Sequence, residues 1–246
     1  MNANADLFRC GELQDELVAS DAYKLIQRLR TFDLSLHIFR RNFTAVENAI
    51  QSHLPTTMQE MVRLAQNHEA RNEDQVEIVR HLHNFVASAL SLVDHTRVFY
   101  RELYEDKNLI AGYQDEIESR FVKHGLSNFV KGLRQYTQHY RLPTVATSLS
   151  MDIEQQTMKC GVSLRRDELL AFTSWSHAAK DFLGGCSESI ELLDVLTQYR
   201  DHVNAFDAWF RGEQSVVHRE DFEYHDKTMA EMKRLRSAVR VEQIKD

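Results

Sequence analysis

The chain has 246 residues and a formal net charge of −7, with 43% hydrophobic and 27% charged residues but only 8 Gly and 2 Pro. That length suits one domain able to bury a sizeable core, and the scarcity of breakers favours long helices over many short strands. The negative balance argues against a protein that coats nucleic acid broadly, because phosphate binding needs clustered cations. A mean hydropathy of −0.47, with no apolar run near the roughly 20 residues that span a bilayer, excludes an integral membrane protein and a membrane partner.

The segment from Gly11 to Leu54 reads as helix with breaks: Leu25, Leu29, Phe32, Leu36 and Phe39 recur at spacings of three and four. Pro55 closes it, Thr56 and Thr57 suit a cap, and a next helix is expected from about Met58, faltering in the polar stretch Asn67 to Asn72. A long helix is expected over 73–105, with Ile78, Leu82, Phe85, Ala89, Leu92, Phe99 and Leu103 as its buried stripe. Another covers about 109–123, with Gly125 as a stop, and a further helix runs through Leu126, Phe129, Val130 and Leu133 to Pro143.

From Thr144 to Leu164 the pattern shifts to alternation (Val145, Thr147, Leu149, Met151, Ile153), which predicts a small β-hairpin. Helices are expected again over 166–183, broken at Gly184-Gly185, then over 187–211, with a last polar helix over 216–241 that is peripheral to the core. The expected architecture is a single mainly α domain over 1–246: a helical bundle of long helices with a hairpin inserted around 144–164.

Several chemistries are absent from the sequence. There is no Gly-rich phosphate loop and no Gly-x-Ser-x-Gly elbow. No Cys pair has zinc spacing, and none of the 12 histidines follows an acidic residue by three positions, as helical di-iron sites require. His81 and His83 point apart on a helix, and His218, His225 and Asp226 read as surface residues, so neither a metal nor a cofactor is expected. The first six residues lack the basic and apolar regions of a secretory signal, and Cys10, Cys160 and Cys186 read as reduced thiols, so a cytoplasmic setting is expected.

One stretch stands apart. Between Arg120 and Met151 there is no Asp or Glu, although the chain has 37 acids, and the stretch holds Arg120, Lys123, Lys131, Arg134 and Arg141. Lys131, Arg141 and Lys123 are the expected phosphate-binding residues of this cationic surface. Within it, Leu133-Arg134-Gln135-Tyr136-Thr137-Gln138-His139-Tyr140-Arg141 resembles the Arg-polar-x-x-x-His signature of the HEPN superfamily, and the resemblance covers roughly residues 73–143. It implies a metal-independent endoribonuclease of a toxin or phage-defence type, with Arg134 and His139 catalytic and two copies of the chain brought together. A cognate inhibitor is a further partner of that reading.

In such chemistry the histidine moves a proton at a ribose 2′-hydroxyl and the arginine steadies the phosphate. Gln135 stands where Asn, Asp or His is commoner, and it shares a helical face with His139. Asn84 and Asp94, on the preceding long helix, are the expected supporting residues. The alternative is a noncatalytic HEPN-like module that binds RNA, a nucleotide or a protein partner. In a plain scaffold, Trp209, Phe210, Phe222 and Tyr224 would offer a partner surface.

Overall fold

The computed structural model describes residues 3–242 apart from 56, 58, 61, 63–65 and 153–156; for 3, 68–71, 148–152, 157–159 and 241–242 it describes the backbone alone. Two long helices form the frame, α2 (Asp21–His53) and α3 (His68–Tyr100), preceded by α1 (Ala3–Ala19). The break between α1 and α2 is made by Ser20, whose hydroxyl donates to the Leu17 carbonyl at 2.6 Å and accepts from the Tyr23 amide at 3.1 Å. The expected cap at Thr56 and start at Met58 lie outside the described residues. The polar segment expected to bend at 67–72 is instead helical from His68.

α2 and α3 run antiparallel, as three cross-pairs fix: His53 with Asp74 at 3.2 Å, Ser35 with His95 at 2.6 Å and Arg28 with Glu102 at 2.6 Å. α3 runs on as a π-helical turn, Arg101–Glu105. The helix expected over 109–123 is shorter: Gly112, at a φ of 77° that glycine tolerates, delays α4 (Tyr113–Ile117), which ends in a second π-helical turn, Glu118–Val122. α5 (Gly125–His139) follows.

The hairpin forms where alternation placed it, β1 (Val145–Asp152) pairing antiparallel with β2 (Thr157–Arg165) in the register Val145↔Leu164. Two short helices, α6 (Arg166–Leu170) and α7 (His177–Gly185), occupy the helical stretch expected over 166–183; Ser176 caps α7 by accepting from the Ala179 amide. β3 (Ser189–Glu191) adds a third strand that local pattern did not predict, since its three residues are defined by pairing with β2. α8 (Leu192–Val217) and α9 (Arg219–Glu242) complete the chain, the break between them falling at His218.

One large core joins α2, α3, α5, α8 and the sheet, with Phe39, Phe85, Phe129, Leu133, Tyr136 and Tyr199 fully buried. Burying a large apolar side chain contributes about 1.5–3 kcal/mol, so this cluster dominates stability. Phe210 belongs to it, with Trp209 packed against it, so neither is a free partner surface; Tyr224 is exposed. α1 and α9 share a second, small cluster of Cys10, Leu13, Leu17, Met232 and Leu235. Asp207 on α8 accepts from Arg211 at 2.9 Å and Arg40 at 3.4 Å, and Arg211 also reaches Asp33 at 2.6 Å, tying α8 to α2 by charge.

Candidate functional site

α5 buries Leu126, Phe129, Val130, Leu133, Tyr136 and Thr137, and its apolar face is closed by Trp175, whose indole N–H donates to the Leu169 carbonyl at 2.7 Å. Gly132 is obligatory there: a Cβ would stand 2.3 Å from Trp175 Cε3. This packing fixes the direction of every other side chain on the helix. Arg134 is half-buried, its Nε enclosed without a hydrogen-bond partner among the described residues. Gln135 and His139 are exposed. Five residues on a helix turn through about 140° net, so Arg134 and His139 leave α5 in divergent directions.

The other expected site residues are scattered. Arg141 is engaged structurally: its Nε donates to the Tyr136 hydroxyl at 2.7 Å, its guanidinium lies 5.1 Å from the Tyr140 ring centroid, and it donates to the Glu168 carbonyl at 3.2 Å. Burial raises the Tyr136 phenol pKa, and the Arg141 bond opposes that rise. Lys123 is paired with Glu118 at 2.6 Å. Asp94 is exposed and paired with Arg97 at 3.2 Å. Asn84 lies across a groove from Leu142–Val145, the segment directly after the motif, beside His83, whose Nδ1 is buried and unpartnered among the described residues.

Lys131 alone of the expected phosphate ligands has neither ion pair nor hydrogen bond among the described residues, and it stands at the mouth of a cavity of about 380 Å³ between α3, α4, α5 and α8. The inner wall is aromatic: Phe32, Tyr100, Tyr113, Tyr199, Phe206 and Phe210. Tyr100 and Tyr113 stack face to face, with centroids 3.5 Å apart and 4° between planes. Burial raises both phenol pKa values, so both are neutral hydrogen-bonding groups at neutral pH.

Asp94, Arg97, Arg101, Glu105, Gln114 and Lys131 line the rim. Arg101, like Lys131, has no acidic partner among the described residues, while Arg97 is taken by Asp94. The two π-helical turns flank this rim, a placement typical of binding sites because a widened turn displaces side chains from the helical register. Asn128 holds the second of them, donating to the Phe121, Val122 and His124 carbonyls at 2.8–3.2 Å.

Behind Phe121, His124 and His202 stack at 4.3 Å with planes 10° apart. The His202 Nε2 lies 2.7 Å from the Arg120 carbonyl, so that nitrogen carries the proton. Burial lowers the His124 pKa, and the neighbouring His202 lowers it further. Sequence reasoning missed Tyr100, Arg101 and Tyr113. The signal was present as Arg97, Tyr100, Arg101 and Tyr104 at helical spacing, but that spacing reads equally as core plus solvated face.

Among the described residues no group of three His, Cys, Asp or Glu side chains is placed to hold a metal ion, and no helix is long and apolar enough to cross a membrane. His81 lies near Glu77 at 3.8 Å, and His218 near Asp221 at 3.3 Å and the Tyr104 hydroxyl at 3.2 Å. Compared with known proteins, the chain matches no family model, no curated protein and no solved structure.

Proposed function

We propose that the chain is a noncatalytic helical module that binds a planar, anionic small ligand, of which a nucleotide is the type, in the cavity between α3, α4, α5 and α8. The observation that carries this reading is the pairing of an aromatic interior with two cations, Lys131 and Arg101, that have no acidic partner among the described residues. The cavity volume of about 380 Å³ falls in the usual range for ligand sites. An aromatic base would stack against the inner rings, and its phosphate would meet the ammonium of Lys131 and the fork of Arg101.

The test is calorimetric titration of the full chain with nucleoside mono-, di- and triphosphates, beside Lys131→Ala and Arg101→Ala. Each substitution is expected to weaken binding about tenfold, or about 1.4 kcal/mol, without lowering the melting temperature. Absence of heat for every nucleotide in well-folded protein would remove this reading.

A HEPN-like metal-independent endoribonuclease is the second reading, favoured by Gln135 and His139 standing exposed on one face of α5. It needs Arg134 to swing toward that face, or a second copy to supply its own. RNA cut in EDTA by the wild type to 2′,3′-cyclic phosphate ends, and left intact by His139→Ala, would establish it in place of the first. For either reading, three free cysteines support a cytoplasmic setting, and burial raises the thiol pKa of Cys160 and Cys186 away from reactivity.

A further inference from the structure

Helix α9 is divided by charge. From Glu220 to Glu231 it carries Glu220, Asp221, Glu223, Asp226 and Glu231 against one lysine, whereas from Met232 to Val241 it carries Lys233, Arg234, Arg236 and Arg240 and no acid. Its buried side, Thr228, Met232, Leu235 and Val239, faces the rest of the protein. A second stripe at spacings of three and four, Glu223, Asp226, Ala230, Lys233, Ser237 and Arg240, is exposed along its whole length. Met229 beside it is 43% exposed, and a shallow groove of about 440 Å³ runs from Met229 to Arg240. Among the described residues Lys233, Arg234 and Arg240 have no ion pair and Arg236 makes only long contacts of 3.4 Å, to Cys10 and Gln14.

We propose that this face of α9 is an interface with a second copy of the same chain, the two α9 helices lying antiparallel. A helix of 24 residues is about 36 Å long. A twofold axis passing between Glu231 and Met232 sets Glu223 of one copy opposite Arg240 of the other, and Asp226 opposite Ser237, one turn from both Lys233 and Arg240. The same axis sets Ala230 opposite Lys233, where the small side chains of Ala230 and Ser237 let the helices approach. Because the contact is isologous, each ionic pair occurs twice. A parallel arrangement would set acid against acid and base against base, so the charge pattern also selects the direction.

An anionic occupant of the basic half alone fits less well, since it leaves Glu223 and Asp226 with only their local partners on α9, Lys227 at 3.4 Å and His225 at 3.1 Å. A single helix pair lies at the small end of stable interfaces, so the dimer is expected to be weak and to dissociate on dilution. This inference is independent of the cavity and holds whether or not a nucleotide binds there.

Sedimentation and light scattering of the full chain, across a micromolar concentration range, test it with two double variants. Glu223→Lys with Asp226→Lys makes the whole stripe basic, and Lys233→Glu with Arg240→Glu makes it acidic. The wild type is expected to dimerise and each variant alone to stay monomeric. An equal mixture of the two variants is expected to restore a dimer containing one copy of each. All four positions are exposed, so the fold is retained, and thermal unfolding of each variant checks this. A wild type that stays monomeric, variants that dimerise as the wild type does, or a mixture that stays monomeric would each overturn the proposal.

Discussion

The two halves of α5 present different chemistry on one rigid helix. Its first half lines a cavity with Ser127, Asn128 and, at the rim, Lys131, the other walls coming from α2, α3, α4 and α8. Its second half carries Arg134, Gln135 and His139, which leave the helix toward different surroundings, one enclosed and two in solvent. The contrast teaches that a spacing motif on a helix marks residues that are near in sequence, whereas a binding site needs residues that converge in space. Convergence here comes from residues as far apart in sequence as Phe32 and Phe210, and the side chains that matter most at the cavity belong to no local motif.

The largest expected effect breaks both halves together. Gly132→Ala places a Cβ against Trp175, which is held by its bond to Leu169, and overpacking of this kind costs about 2–3 kcal/mol. Urea unfolding measures it, and a near-neutral result would mean that Trp175 yields. A smaller effect separates the halves. Arg141→Ala removes the donor to the Tyr136 hydroxyl and the contact with Glu168, so stability should fall by about 1 kcal/mol while ligand affinity holds. Ligand affinity that fell with it would place Arg141 among the binding residues.

A pH effect of lesser size follows from the stacked histidines beside the cavity. Burial, then His202, holds the His124 pKa below its unfolded value, so the contribution of this group to stability is fully present above about pH 6.5. It is lost as the pH falls through the lowered folded value, where the unfolded chain has already taken up its proton. Imidazole NMR titration and thermal unfolding across mildly acidic pH would record this, and His124→Gln should flatten the acid limb. The smallest expectation is for His139→Ala: exposed and without a buried contact, it should change stability by no more than about 0.5 kcal/mol and leave nucleotide binding untouched.

Much of the fold was legible because it rests on local periodicity. Phe32, Leu36 and Phe39 on α2, and Leu82, Phe85 and Ala89 on α3, are buried as their spacing predicted, and the hairpin that alternation predicted forms, with Val145 paired to Leu164. What was not legible depends on partners distant in sequence. β3 exists through its pairing with β2, and α6 and α7 separate because Phe172 and Trp175 turn inward to meet α5. The same holds for the site. The acid-free stretch drew notice to Lys131, but nothing local distinguishes Lys131 from Lys123, which Glu118 neutralises, or from Arg141, which Tyr136 and Glu168 hold. Tyr100 and Tyr113 read as ordinary core until the fold stacks them at the cavity wall.

The most direct test follows backbone amide resonances of the full chain as a nucleoside phosphate is added. Shifts concentrated at Arg101, Tyr113, Gln114, Asn128 and Lys131, saturating with added ligand and weakened by Lys131→Ala, are the predicted result. Shifts confined to His139, Gln135 and Asn84, or none at any position, would contradict the assignment of the cavity as the binding site.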